Sequence, residues 1–182
     1  MATAAAIALT PANLVTMPVP ASGGHYELNE GKLILVGNAG ARHERVKNRI
    51  LAALMRYQFQ YGNGVVFSES MFTLSPHSAR IPDVAFVSNS KMAQLPDDDS
   101  PIPFAPDLAV EVISLSESAS DVEAKALQYL NAGVAEVWQV YPGDRYVRVR
   151  SLAGSRVLEV GATLATPILA GFSVQVQDFF VR

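Results

Sequence analysis

PDLAVEVIS, residues 106–114, reads as a buried β-strand with a carboxylate set into it. Leu108, Val110 and Val112 fall on one face; Ala109 and Ile113 fall on the other, with Glu111 between them. A strand apolar on both faces is covered on both sides, as central strands of α/β sheets are. An ionised side chain withdrawn from water is stable there only with a partner. IPDVAFV, residues 81–87, poses the same problem, because Asp83 adjoins Val84, Ala85, Phe86 and Val87. If the two strands are neighbours, the carboxylates converge, and two close anions do not both stay ionised unaided. Mg2+ commonly takes one or two protein carboxylates and completes its shell with water and phosphate oxygens. The expected partner of Glu111 is therefore a divalent metal shared with Asp83. A protonated or arginine-paired core acid is the bland alternative.

SESASDVEAKALQYLNAG follows with the grammar of a helix. Ser118 or Ser120 can cap it, acids fill its first turn, and Asn131-Ala132-Gly133 ends it. Lys125 lies near Val122 and Tyr129, at the edge of the apolar stripe. Its stem can lie on the core while the ammonium reaches a carboxylate site. An ordinary surface lysine is the competing reading.

Upstream, residues 1–24 form an arm rich in Ala and Pro with room for one short helix in LTPANLVTMP, and residues 25–182 form a single domain. HYELNEGKLILVG alternates about a turn at Asn29-Glu30-Gly31, the pattern of a hairpin. Residues 41–61 form the longest helix, with Val46, Ile50, Leu54 and Tyr57 as its apolar stripe and GNG as its stop. VVFSES and MFTLS are two short strands, and RIPDVAFV is a third, entered by Pro82. NSKMAQLPDDDSPIPFAP is a surface loop with one helical turn at its start. Downstream, AEVWQVYPGDRYVRVRSL gives two strands about Pro142-Gly143-Asp144, then come a last strand, SRVLEV, and a short tail. The order is that of an α/β sandwich on a mixed sheet.

The chain has 182 residues, 49% hydrophobic and 17% charged, which suits one globular domain. It has no cysteine, which excludes disulfides and thiolate chemistry and suits a reducing cytoplasm. No stretch approaches the roughly 20 apolar residues of a membrane span. MATAAAIALT lacks the basic start of a secretory signal, the first basic residue being Lys32. His25, His43 and His77 show no metal-ligand spacing. Charge is uneven. Asp83, Asp97, Asp98, Asp99, Asp107, Glu111, Glu117, Asp121 and Glu123 face only Lys91 in their segment. Arg42, Arg45, Lys47, Arg49 and Arg56 form one basic group and Arg145, Arg148, Arg150 and Arg156 another. Two readings are open: solvated surface, or an acidic centre for a cation flanked by basic surface that meets a polyanion.

IPDVAFV, PDLAVEVIS, the spacing of Asp121, Lys125 and Tyr129, and GVAEVW from Gly133 together resemble the Uma-type putative restriction endonuclease family, a branch of the PD-(D/E)XK nuclease superfamily. YELNEGKL and His43 add to the likeness, which runs from about Leu9 to Asp178. The resemblance implies a restriction-endonuclease-like α/β core, a mixed β-sheet flanked by helices, with an extra N-terminal hairpin and C-terminal strands. It implies a Mg2+ (or Mn2+)-dependent endonuclease that hydrolyses phosphodiester bonds of nucleic acid, with DNA preferred to RNA on the resemblance alone. Asp83 and Glu111 would be catalytic and hold the metal. The superfamily lysine should lie two residues beyond Glu111, where Ile113 stands, so the likeness moves that role to Lys125. His43, Glu27, Glu69 and Tyr129 are the candidates for accessory roles. Cutting both strands would favour a homodimer. The rival function is a non-catalytic nucleic-acid-binding or accessory protein that keeps the nuclease fold, and a structural domain with salt-bridged acids is a third.

Overall fold

The structure is a computed structural model that describes residues 8–98 and 100–181. Met1 to Ile7, Asp99 and Arg182, including the start of the arm and one acid of the central segment, lie outside the described residues. A short helix α1 (Pro11–Val15) precedes the hairpin β1 (His25–Asn29) and β2 (Lys32–Val36). The long helix α2 (Ala41–Tyr61) follows, then β3 (Gly64–Ser68), β4 (Phe72–Ser75), β5 (Ser78–Arg80) and β6 (Val84–Ser88). After one helical turn, α3 (Asn89–Met92), come β7 (Leu108–Val112), α4 (Ala119–Asn131), β8 (Glu136–Tyr141), β9 (Tyr146–Ser151) and β10 (Gly154–Glu159). Strands β11 (Thr163–Ala165) and β12 (Ser173–Gln175) and a 3-10 turn (Val176–Phe180) complete it.

The main sheet has six strands in the order β10-β9-β8-β7-β6-β3. Only β7 and β8 run parallel. Parallel neighbours need a crossover, and α4 supplies it, so this helix packs against the strands it joins. Helix α2 covers the opposite face. Val46, Ile50, Leu54 and Tyr57 meet Leu108, Val110, Val112, Trp138 and Val140 in one large core. On the α4 side, Ala109 and Val137 meet Ala126, Tyr129 and Leu130. The alternation along β7 thus divides its side chains between two cores, with Glu111 on the α4 side. A second sheet, β2-β1-β5-β4, lies beside the first. Leu14 of α1 packs there on Leu28 and Ala79.

Two expectations need correction. RIPDVAFV is not one strand. Arg80 ends β5 in the small sheet and Val84 opens β6 in the large one, with Pro82 between. Proline has no N–H for a ladder and disfavours continuity, so the chain changes sheets there and Asp83 stands at a strand entrance rather than inside a strand. The loop before β7 is not wholly superficial, because Ile102 is buried and bridges to Phe72. The short tail is folded: β11 pairs with β12, and Leu164, Leu169, Phe172, Val176 and Phe179 join the α2-side core.

Helix α2 ends at Gly62, whose φ of 62° is the left-handed cap that glycine adopts freely. Gly64 answers a different need. A Cβ there would collide with the Val87 carbonyl oxygen and the Phe86 ring. Gly64→Ala should therefore cost about 1–3 kcal/mol, the usual range for overpacking. Chemical denaturation should register this as a lower midpoint, while Gly37→Ala, where a Cβ meets nothing within 4 Å, should unfold like the wild type.

Candidate active site

Strands β6 and β7 are antiparallel and pair Val84 with Val110. One step further along the same register, Asp83 comes level with Glu111. Asp83 Oδ2 accepts the Val112 N–H at 2.7 Å and lies 3.2 Å from His43 Nε2. His43 sits in the first turn of α2, in line with the apolar stripe. Burial works to lower its pKa, but the hydrogen bond to Asp83 and that residue's charge outweigh burial and raise it.

Glu111 is held from α4. Tyr129 Oη donates to its Oε1 at 2.7 Å, and Lys125 Nζ lies 2.9 Å from Oε1 and 3.0 Å from Oε2. The positions of Lys125 and Tyr129, four apart, place both on the same helical face. Lys125 Nζ also lies 3.1 Å from Oε1 of Glu27, which is fully buried on β1. Glu27 in turn accepts from Arg80 Nη1 at 2.8 Å and from the Ile81 N–H at 2.9 Å. One ammonium thus bridges a carboxylate of each sheet.

The charges do not balance. Glu27 and Glu111 share Lys125, and Asp83, paired with His43, acts on Glu111 through its charge. Burial pushes its carboxyl up to about 7; Lys125 pulls against the rise, while Asp83 and Glu27 add to it. For Lys125, burial disfavours the ammonium, but Glu111 and Glu27 outweigh burial and hold it above the ordinary lysine range. Burial, with Glu111 and Glu27, keeps the Tyr129 phenol well above its usual value. Burial would raise Glu27 too, but Lys125 and Arg80 hold it below the usual carboxylate range.

Glu69 stands further out. It is exposed, pairs with Lys47 at 2.7 Å, and adopts a φ of 51°, uncommon for a residue other than glycine. Its N–H points to the Asp83 carbonyl at 3.4 Å, so it flanks the strand entrance without touching Glu111. Of the residues expected from sequence, the structure brings together Asp83 with His43, and Glu111 with Lys125, Tyr129 and Glu27; Glu69 stays at the rim. Sequence reasoning missed Arg80, which also donates to Gln128 Oε1 at 2.6 Å. It missed Gln139, level with Glu111 on β8, which donates to the Val122 carbonyl and leaves a buried Oε1 without a protein partner. It also missed His25, whose Nε2 is buried and unpartnered; burial lowers its pKa. Only His25 had a signal to find, the two-residue period that puts it on the face of Glu27. Glu111, Lys125, Gln139 and Glu117 line a small crevice at this point.

The mixed sheet flanked by α2 and α4, with acids at the entrance of β6 and near the end of β7, defines a restriction-endonuclease-like α/β architecture. The chain belongs to the Uma2 family, described as "Putative restriction endonuclease", which it matches over residues 12–177. A solved structure from Anabaena variabilis ATCC 29413, described as a putative nuclease belonging to DUF820, superposes with a TM-score of 0.79. The two share 20% sequence identity over 94% of this chain and 97% of that one, a likeness of fold. No curated protein matches the chain.

The Glu27 contacts predict a specific acid sensitivity. A carboxyl whose folded pKa is depressed adds stability that is present above its unfolded pKa, about 4.3, and is lost as pH falls through the lower folded value. Glu27→Gln should unfold more easily at neutral pH by about 3–5 kcal/mol, the cost of breaking a buried pair from one side. Thermal melts from pH 7 down to pH 2 should show a smaller acid-induced loss in the variant. Parallel curves would reject the assignment.

Proposed function

We propose that this chain is a metal-dependent endonuclease acting on DNA in the cytoplasm, with Asp83 and Glu111 as the metal-holding acids and Lys125 as the catalytic cation. The observation that carries the reading is the Lys125 ammonium, 2.9 Å from Glu111 and delivered from a helix to the strand pair that bears both acids. The residues fit a hard divalent ion. The donors are carboxylate oxygens, and Asp83 and Glu27 add to the rise that burial gives the Glu111 pKa. Among the described residues no three His, Asp or Glu side chains converge to cage an ion. Two carboxylates with water and phosphate oxygens match the habit of Mg2+ and Mn2+. When bound, such an ion would offset charge on the scissile phosphate and acidify water.

The side chains divide the remaining work. Lys125 stays protonated at neutral pH, because its pKa is raised, so it serves as a fixed positive donor and not as a base. It suits the charge that develops on phosphate oxygens as water oxygen adds to phosphorus and the bond to the leaving oxygen breaks. Tyr129 fixes Glu111, and the Lys125 ammonium is held beside it by Glu111 and Glu27. His43 stands at the same entrance and, through Nε2, orients Asp83.

The reading predicts a metal response and a separation of binding from cutting. Mg2+ or Mn2+ should raise the melting temperature of the wild type by mass action. Asp83→Asn and Glu111→Gln should each abolish that shift and the nicking of plasmid DNA. Lys125→Ala should keep a metal-induced shift, since an ammonium is no ligand, and cut at least about 100-fold more slowly. Wild-type cutting rates in Lys125→Ala would remove the lysine from the mechanism. A wild type that cuts neither DNA nor RNA with either metal would remove the nuclease reading.

A further inference from the structure

The chain carries two basic groups, and the fold treats them differently. Beyond β8, three of the four arginines find local partners, and Arg145 is exposed. Arg148 lies over the Tyr141 ring at 5.8 Å, Arg150 pairs with Glu123, and Arg156 donates to the Ala165 carbonyl at 2.6 Å. On α2 the reverse holds. Arg42, Arg45, Arg49 and Arg56 are all exposed, and among the described residues none of them makes an ion pair. The one acid of this helix, Glu44, is occupied by Lys47 at 2.8 Å.

Their spacing makes a strip. At 3.6 residues per turn the four arginines project within about 60° of one another, and from first to last they climb about 21 Å. Asn48 and Ala52 leave the surface between them low, and Phe59, 76% exposed, continues the line beyond Arg56. Folding does not account for the strip. Like charges three and four residues apart, such as Arg42 with Arg45 and Arg45 with Arg49, weaken a helix. A cation in the first turn also opposes the helix dipole. The near end adjoins the acids: His43, the next residue after Arg42, contacts Asp83 at 3.2 Å.

We infer that this face of α2 is the track on which one strand of a nucleic-acid duplex lies by its phosphates, with its first phosphates presented to the Asp83–Glu111 entrance. The inference rests on the nuclease reading for its orientation and adds the surface that holds the substrate. Four arginines spread over about 21 Å can meet several phosphates of a duplex backbone. Phosphate contacts of this kind set affinity and register and carry no sequence information.

The test is binding, read apart from cleavage. The full chain in EDTA is titrated into a fluorescent DNA duplex over a series of salt concentrations. Wild type should bind with a slope that reports several phosphates. Arg45→Gln with Arg49→Gln should flatten the slope by about 1.8 and weaken binding roughly 10- to 100-fold at 0.1 M salt, at about 0.9 per lost contact. Arg145→Gln with Arg156→Gln should bind nearly as the wild type does. All four positions are exposed, and melting temperatures check that each variant folds; Arg42→Gln and Arg56→Gln singly serve if the double variant does not. Equal slopes for wild type and the α2 variant overturn the track even if the protein cuts DNA. Wild type that binds with the expected slopes and never cuts leaves the track standing and sinks the nuclease reading. A wild type that ignores duplex but binds phosphatidylserine vesicles through the same arginines and Phe59 assigns the strip to a membrane and overturns the inference.

Discussion

A single ammonium shared between Glu27 and Glu111 is the contact on which the centre of this molecule depends. Glu27 belongs to the small sheet, Glu111 to the middle of the large one, and Lys125 to the crossover helix between β7 and β8. None of the three would be tolerable at its depth alone, because an unpaired buried charge costs several kcal/mol. Together they pin two sheets and a helix to one point. Arg80 extends the bond to β5, and Gln128 extends it to Asn29 at the hairpin turn.

The arrangement also leaves a residue of charge. Glu27 and Glu111 share Lys125, Asp83 takes His43, and burial, reinforced by Asp83 and Glu27, raises the Glu111 carboxyl to about 7. A structural cluster would gain by having one acid fewer. The surplus faces the β6 entrance, where His43 and Asp83 stand and where the arginine-bearing helix begins. On the proposed reading, that surplus is where a cation would be drawn, beside a basic surface suited to anions.

The fold follows from a few local constraints. Pro82 ends one sheet and starts another, and by doing so it places Asp83 at an entrance instead of within a strand. The parallel pairing of β7 with β8 obliges the chain to cross over, and the crossover helix carries Lys125 and Tyr129 over Glu111. The α2-side core, filled by Trp138, Phe172 and Phe179 among others, makes the sheet rigid enough to hold side chains at hydrogen-bonding distance.

Much of this was legible in the residues. Period and punctuation located α2, α4, the hairpin and the central strands, since amphipathic stripes, caps and turns are local properties of a chain. The two strand acids stood out because an acid in an apolar run violates the local rule, and such violations gather where chemistry is done. Lys125 at the stripe edge was readable for the same reason. What the sequence could not determine was who meets whom across sheets. Arg80 and Glu27 lie on different strands of the small sheet, and no period links them. Gln139 becomes a neighbour of Glu111 only through the parallel register, and the folded tail closes its core through contacts far apart in the chain. The two basic groups looked alike as composition. Packing alone decided that Arg148 and Arg150 find partners at home while Arg42, Arg45, Arg49 and Arg56 make no ion pair among the described residues, because pairing of charges is fixed by distance in space and not by order in the chain.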